Sequence, residues 1–337
     1  MKAWEVQGRG IESLKLVERP KPEEIADNQI LVNIKAASLN YRDLIMLNGG
    51  YGHLGGIPPF VPISDAAGIV VSIGKNVTKF KMGDEVISSF FRNWRTGSIK
   101  KETAASALGG KVDGVMQEFM VFDEDELVNA PQNWSLLESS TLPCAAVTAW
   151  RALITEGNLS DKSIVLTQGL GGVSIFSIQI AKSFGAKVIS TTSSEERIAV
   201  AKEIGSDEAI NYNKNPEWYK DVLSLSGHSG VDIVVEVGGA QTLDHSIRCS
   251  KQGAIIAIIG VLSGGVAELS IGRAISKSSR MIGITCGTTE ELSNVSNQLA
   301  KSGFKPIIDS KYTLNELPNA LAYMREGKHV GKIVIEF

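Results

Sequence analysis

The chain is poor in the side chains that build metal centres and disulfide frameworks: 337 residues hold three cysteines and four histidines. Cys144, Cys249 and Cys286 are widely separated, odd in number and form no CxxC pair, which excludes a disulfide scaffold and a zinc knuckle and predicts a reduced, cytoplasmic protein. No apolar run reaches membrane length, and the opening MKAWEVQGRG has no hydrophobic leader core, so no membrane partner is expected. No block of Lys and Arg occurs either: 34 basic residues stand against 37 acidic ones for a net charge of −3, which argues against nucleic-acid binding. With 43% hydrophobic and 21% charged residues, the composition is that of an ordinary globular protein. At about 150 residues per domain, the length predicts two domains.

The first 125 or so residues read as strands and turns. Ile30-Leu-Val-Asn-Ile-Lys-Ala36 alternates with period two, Gly68-Ile-Val-Val-Ser-Ile-Gly74 is a second run, and Phe80 to Ile87 and Gln117 to Phe122 add two more. Residues 92–113 form a long loop without a period. Short strands between turns predict a barrel-like β unit. From about residue 130 the rhythm changes to apolar strands at Ile164-Val-Leu-Thr, Lys187-Val-Ile-Ser-Thr, Val231-Asp-Ile-Val-Val-Glu and Ala254-Ile-Ile-Ala-Ile-Ile. Helical patterns at 173–184, 195–204 and 240–250 separate them, which predicts βαβ units and a parallel sheet covered on both faces. Residues 281–286 read as the last strand of that sheet. Helices at 290–301 and 314–325 and a strand at 332–337 follow.

Gly169-Leu-Gly171-Gly172-Val173-Ser174 lies between a predicted strand and a predicted helix. In that place glycines let the backbone approach a pyrophosphate, and the helix N-terminus offers free N–H groups to it. Ser174 replaces the third glycine of the usual motif with another small residue. Dinucleotide selectivity is read about 20 residues further on, where NAD enzymes carry Asp or Glu. Here Thr192-Ser193-Ser194 stands instead, with Glu195 expected to point along the following helix and Arg197 of the right charge to pair with a phosphate. NADP(H) is therefore the expected cofactor, although either serine could equally cap the helix.

Several ordered motifs together resemble the medium-chain dehydrogenase/reductase superfamily over nearly the whole chain. They are Ala37-Ser-Leu-Asn40-Tyr-Arg-Asp43, Asp65-Ala-Ala-Gly68, Lys81-Met-Gly83-Asp84-Glu-Val86, Leu142-Pro-Cys144-Ala-Ala-Val-Thr148, the glycine motif, Gly230-Val-Asp-Ile-Val-Val-Glu-Val-Gly-Gly239 and Gly331-Lys-Ile-Val-Ile335. The resemblance implies an α/β protein: a GroES-like β-barrel domain at 1–129 and 289–337, and a Rossmann domain with a doubly wound parallel sheet at 130–288. It also implies a homodimer, with 281–286 as an edge strand pairing with its twin across a two-fold axis.

Zinc enzymes of the superfamily hold the metal with Cys, His and Cys. The matching positions here are Asn40, Ser64 and Cys144, so one ligand of three is kept, and Asp65 could add a carboxylate at most. The loop 92–113 has no cysteine, so the structural zinc site is missing too. The resemblance therefore points to the zinc-free branch and to a zinc-independent, NADPH-dependent reductase of enones, enals or quinones. Two other readings stay open: a zinc-type alcohol/carbonyl oxidoreductase, and a non-catalytic NADPH-binding protein of the crystallin kind.

In the zinc-free reading Asn40 and Tyr41 are the candidate catalytic donors, matching the Asn-(Phe/Tyr)-Arg-Asp run of enoyl reductase modules. Tyr41 could equally pack under the barrel. Arg42 and Asp43 read as a structural ion pair, Ile45 stands where quinone reductases often have tyrosine, and Phe90, Phe91 and Trp94 could wall the substrate or simply be core. His53 and His245 read as solvated or packing residues. The cofactor set implied on the same ground is Thr148, Gly169, Gly171, Gly172, Val173, Thr192, Ser193, Ser194, Arg197, Tyr212, Gly238, Gly260, Val261, Leu262 and Lys332. No metal site is expected.

Overall fold

A computed structural model describes residues Met1–Phe337, and its contacts divide the chain into two compact units. The first comprises Met1–Val147 and Gly287–Phe337, the second Thr148–Cys286. Residues 130–147, expected with the parallel sheet, thus belong to the first unit. The reason lies in their contacts: the segment Leu142–Ala146 follows the short helix Leu136–Ser139, and Cys144 N donates to Asp65 in the strand Asp65–Ile73.

The first unit is built on a seven-stranded sheet in the order Ile308–Thr313, Lys332–Glu336, Gln29–Ser38, Asp65–Ile73, Glu85–Ser88, Leu127–Asn129, with Phe119–Asp123 pairing the first half of Gln29–Ser38. All pairs are antiparallel except the first, and Lys2–Val6 and Leu14–Glu18 form a separate hairpin. The alternation at Ile30–Ala36 led us to expect a half-buried strand. Instead Gln29–Ser38 is central and mostly buried, because three strands pair along it and bulges reset its facing. Ile30, Val32, Ile34, Phe122, Met116 and Leu321 lie in its core, each worth about 1.5–3 kcal/mol when fully buried. Gly68 is required there: a Cβ on it would meet Asn33 O at 2.4 Å.

The second unit is a six-stranded parallel sheet in the order Glu208–Asn211, Lys187–Thr192, Ile164–Gln168, Val231–Glu236, Ser250–Ile258, Arg280–Gly283. Numbered within the unit this is 3-2-1-4-5-6, and the order reverses between Ile164–Gln168 and Val231–Glu236. In open sheets of this kind ligands bind outside the carboxyl ends of the strands at that reversal. The strand Glu208–Asn211 and the helix Tyr219–Leu225 escape the sequence reading, being too short to show a period. The last strand is shorter than the 281–286 expected and ends at Gly283; Cys286, with φ of +64°, has left extended geometry. The helices fall close to expectation at Gly172–Ser183, Glu195–Ile204, Leu243–Cys249, Thr289–Ser302 and Leu317–Arg325.

Candidate functional site

The turn after Ile164–Gln168 carries the glycine motif. Gly169 has φ of +68°, and a Cβ built on it or on Gly171 would stand in open space, room that a ligand's close approach requires. Gly171 is the N-cap of Gly172–Ser183 and no side chain closes that end, so the first N–H groups of the helix, those of Gly172 and Val173 among them, lie uncapped. Ser174 is more than a small stand-in: its buried hydroxyl donates to Gln168 O at 2.7 Å and clasps the turn. A glycine cradle at an uncapped helix end fits a pyrophosphate.

At the end of Lys187–Thr192 the expected hydroxyls are partly engaged. Thr192 is buried and its Oγ1 donates to Ser194 O at 3.3 Å. Ser194 accepts from Arg197 N at 3.3 Å as the helix N-cap, and it holds the Glu196 carboxyl below its usual range. Ser193 and Arg197 are half-buried beside it. Glu195 does not point along the helix: its carboxylate accepts from Asn211 Nδ2 at 3.0 Å and pairs with Lys214 at 3.0 Å. The Asn211 amide and the Lys214 ammonium draw it sideways, and these two bonds hold its carboxyl below the usual range. Lys214, which the sequence reading missed, thus adds a second cation close to Tyr212.

A cavity of about 360 Å³ opens at the carboxyl edge, lined by Gln168, Gly169, Tyr212, Trp218, Gly238 and His245 among others. That is within the usual size of a small-ligand pocket. His245, read as a surface or packing residue, is part of its wall. Its ring meets Trp218 edge-on at 5.2 Å and Tyr219 at 5.0 Å, and burial pushes its imidazole below the ordinary value. Gly238 admits no Cβ, which would strike the Thr242 side chain at 2.3 Å, and at Gly260 one would meet Val237 O at 2.2 Å. Leu262 also lines the cavity, while Val261 beside it is exposed and Thr148 is buried in the segment that opens this unit.

In the first unit Asn40 stands at the start of the helix Tyr41–Leu47. Its backbone N donates to Asp43 Oδ2 at 2.8 Å. Lys332, 3% exposed, reaches Asn40 Oδ1 and Leu39 O, both at 2.6 Å. The ammonium fixes the amide's orientation, so Nδ2 faces the other way, buried and without a partner. Lys332, expected on the cofactor side, therefore spends its charge on Asn40. Tyr41 is 47% exposed and makes no hydrogen bond. Asp43 is buried, with Oδ1 unpartnered and Arg42 at 3.7 Å; burial pushes its carboxyl up to about 6. The ion pair read from the sequence is thus loose.

Arg42 also donates to Leu108 O and stacks over the rings of Phe90 at 4.8 Å and Tyr51 at 5.8 Å. Tyr51, in the glycine-rich loop, has φ of +67°; burial raises its phenol pKa, and Arg42 lies within hydrogen-bond reach. Phe90, Phe91 and Trp94 are core, packed edge-to-face. His53 is exposed. Ser64 donates to Asp65 Oδ1 at 2.6 Å and Cys144 N to Asp65 Oδ2 at 3.0 Å, so both Asp65 oxygens are engaged.

Residues 26–132 match the alcohol dehydrogenase GroES-like domain and residues 172–301 the zinc-binding dehydrogenase family. The chain is 37% identical to a zinc-type alcohol dehydrogenase-like protein of Schizosaccharomyces pombe, over 97% of this chain and 96% of that one. It is a medium-chain dehydrogenase/reductase. Among other members of the superfamily it is 30% identical to 2-methylene-furan-3-one reductase of Solanum lycopersicum, over 99% of this chain and 79% of that protein. The quinone oxidoreductase structure from Coxiella burnetii superposes with a TM-score of 0.80 at 26% identity, over 100% and 99% of the two chains. As a medium-chain dehydrogenase/reductase the protein is an oxidoreductase with a nicotinamide-dinucleotide-binding fold, the GroES-like and Rossmann parts being the two units described. No helix is long and apolar enough to cross a membrane.

Four residues of these sites escaped the sequence reading. Tyr51 had one visible signal, an aromatic residue between glycines, and Glu236, fully buried at the carboxyl end of Val231–Glu236 just before Gly238, had another, a carboxylate closing a strand that is apolar except for Asp232. Lys214 and Trp218 had none, because only the turn after Glu208–Asn211 brings them to the carboxyl edge.

Proposed function

We propose that this protein is a zinc-independent, NADPH-dependent reductase of α,β-unsaturated carbonyls or quinones. The observation that carries the reading is the Lys332 ammonium, 2.6 Å from Asn40 Oδ1. At the three positions where zinc relatives place ligands, the amide oxygen already holds a cation, the Ser64 hydroxyl is donated to Asp65, and only the third, Cys144, is a thiol. No group of three His, Cys, Asp or Glu side chains comes together elsewhere. A divalent ion would have to share Asn40 with an ammonium, so this donor set does not fit catalytic zinc.

The nicotinamide cofactor supplies the hydride when bound. What the chain must supply is a donor for the oxygen that gains charge as an enone or quinone is reduced. Asn40 Nδ2 is such a donor: oriented by Lys332, desolvated, and unspent. The Tyr51 phenol, within hydrogen-bond reach of Arg42, is a second donor beside Tyr41, the two being 46% and 47% exposed. The proton that completes the product comes from water. The tomato relative's name denotes an enone as substrate, which favours this class.

The preference for NADPH rests on Ser193, Arg197 and Tyr212 near the end of Lys187–Thr192; of the two nearby carboxylates, Glu195 is paired with Asn211 and Lys214 and Glu196 accepts from Ser194. A homodimer is supported by the exposed Val266, Ile271, Ile275 and Met281 close to the edge strand Arg280–Gly283; a monomeric mass in solution at micromolar concentration would rule it out. The three free thiols agree with a reduced, cytoplasmic setting. A second reading, zinc-type alcohol/carbonyl chemistry, draws on the name of the fission-yeast relative. Following NADPH oxidation against a panel of enones, quinones and simple ketones decides among them. Turnover of enones or quinones is expected; turnover of ketones alone, or cofactor binding with no turnover at all, would refute the proposal.

A further inference from the structure

Glu236 is 0% exposed, ends the strand Val231–Glu236, and has no role in the chemistry above. Its carboxylate meets no cation. Instead five neutral donors converge on it. Oε1 accepts from Gly238 N at 3.0 Å, from Gly239 N at 2.9 Å and from the Thr242 hydroxyl; Oε2 accepts from Gln168 Nε2 at 2.7 Å and from the Ser246 hydroxyl. The Gln168 carboxamide is used at both ends, its Oε1 accepting from Val237 N at 3.2 Å and Gly238 N at 3.0 Å. A buried ion without a counter-ion is a poor way to stabilise a fold, since an apolar residue of like volume would avoid its desolvation. What it does offer is a fixed pattern of acceptors.

The donors come from the two strand ends that flank the sheet's reversal. Gln168 directly precedes the Gly169 cradle, and Gly238, Gly239 and Thr242 form the turn on the other side. Gln168, Gly169, Gly238 and Thr242 all line the cavity, whereas Glu236 itself does not. We propose that Glu236 is a positioning residue for the dinucleotide, a charged rivet beneath the pocket floor that locks the Gly169 cradle and the Gly238–Gly239 turn in one binding-competent arrangement. This deepens the dinucleotide-binding reading and rests on it.

The bond pattern makes a sharp forecast for Glu236→Gln. The new NH₂ would face two donors, so Gln168 must flip to accept from it, and the flip turns its own NH₂ against Val237 N and Gly238 N. The turn loses its register while shape and volume are kept. Dissociation constants for NADPH and for NADH, read by quenching of tryptophan fluorescence, should both rise about tenfold, the scale of losing one charge-assisted hydrogen bond. The rise should appear as a higher KM for cofactor, with kcat at saturating cofactor kept within about twofold, as removal of uniform binding dictates.

The exchange Gln168→Glu with Glu236→Gln keeps one carboxylate and one carboxamide in the network and should bring both constants back to near wild type. Ser246→Ala, which removes one donor to Oε2 without touching the cavity lining, serves if Glu236→Gln does not fold, and should raise both constants about threefold, a weaker loss of the same kind. Unchanged dissociation constants in Glu236→Gln or Ser246→Ala, with only a lower Tm, would overturn the proposal and leave Glu236 a brace. Failure of the exchange to rescue would overturn it as well, because the damage would not follow the bond pattern. A wild-type protein that prefers NADH would refute the NADPH assignment and leave this test to be judged on NADH.

Discussion

Two buried carboxylates, one in each unit, are treated in opposite ways. Glu236 has every lone pair it needs met by neutral donors, and the turns around it are locked. Asp43 has one oxygen bound to Asn40 N and the other bare, with Arg42 too far away to bond; its carboxyl is pushed up to about 6 by burial. Next to it Asn40 Nδ2 is bare as well. Unmet polar atoms in a folded interior cost free energy. Their concentration around Asn40, in contrast to the fully met network under the cavity of the other unit, is what the proposed function expects of a region that reacts with substrate as against one that holds the cofactor.

The comparison breaks first at Asn40. If Nδ2 is the donor to the developing oxyanion, Asn40→Ala should cut kcat by about 10²–10³ with little change in KM, whereas Tyr41→Phe should leave turnover within about a few-fold. Steady-state kinetics on an enone checks both, and the reverse order would move the role to Tyr41.

The next effect is on stability. Asp43 binds its proton more tightly folded than unfolded, so its contribution is fully present below the ordinary value of 3.8 and is lost as pH rises through about 6. The upward shift corresponds to about 3 kcal/mol at most. Asp43→Asn keeps an acceptor for Asn40 N and has no charge to desolvate. Its unfolding free energy, measured by urea titration, should exceed that of wild type by about 2 kcal/mol at pH 7 and match it near pH 4. A constant difference across that range would show that Asp43 is not strained by burial.

A smaller effect sharpens the other side. Arg197→Ala should weaken NADPH by about 1–2 kcal/mol and leave NADH nearly untouched, as expected for one charge-assisted hydrogen bond to the 2′-phosphate. Equal losses for both cofactors would detach Arg197 from that phosphate.

The architecture was legible because its signals are local. Period-two runs, apolar strands spaced by helices and a glycine turn at a strand end each depend on neighbours in sequence. The glycine turn was legible for the same reason, but the bond from the Ser174 hydroxyl to Gln168 O was not. The reactive region was only half legible. Asn40 stood out by resemblance, yet its orientation is set by Lys332, 292 residues away in sequence. No local pattern encodes that contact, and the resemblance by itself assigned the same lysine to the cofactor. Thr192 and Ser194 looked like phosphate donors because a hydroxyl in a strand-to-helix turn can serve either ligand or backbone; here the backbone claims much of both.

The central claim is that an amide held by an ammonium does the work a metal does in zinc relatives. It is tested most directly by measuring metal content and enone-dependent NADPH oxidation on the same protein sample, before and after exhaustive chelation. Less than about one-tenth of a zinc per chain and full activity after chelation are expected, given one thiol where three ligands are needed. One zinc per chain, with activity lost on chelation and restored by zinc, would contradict it.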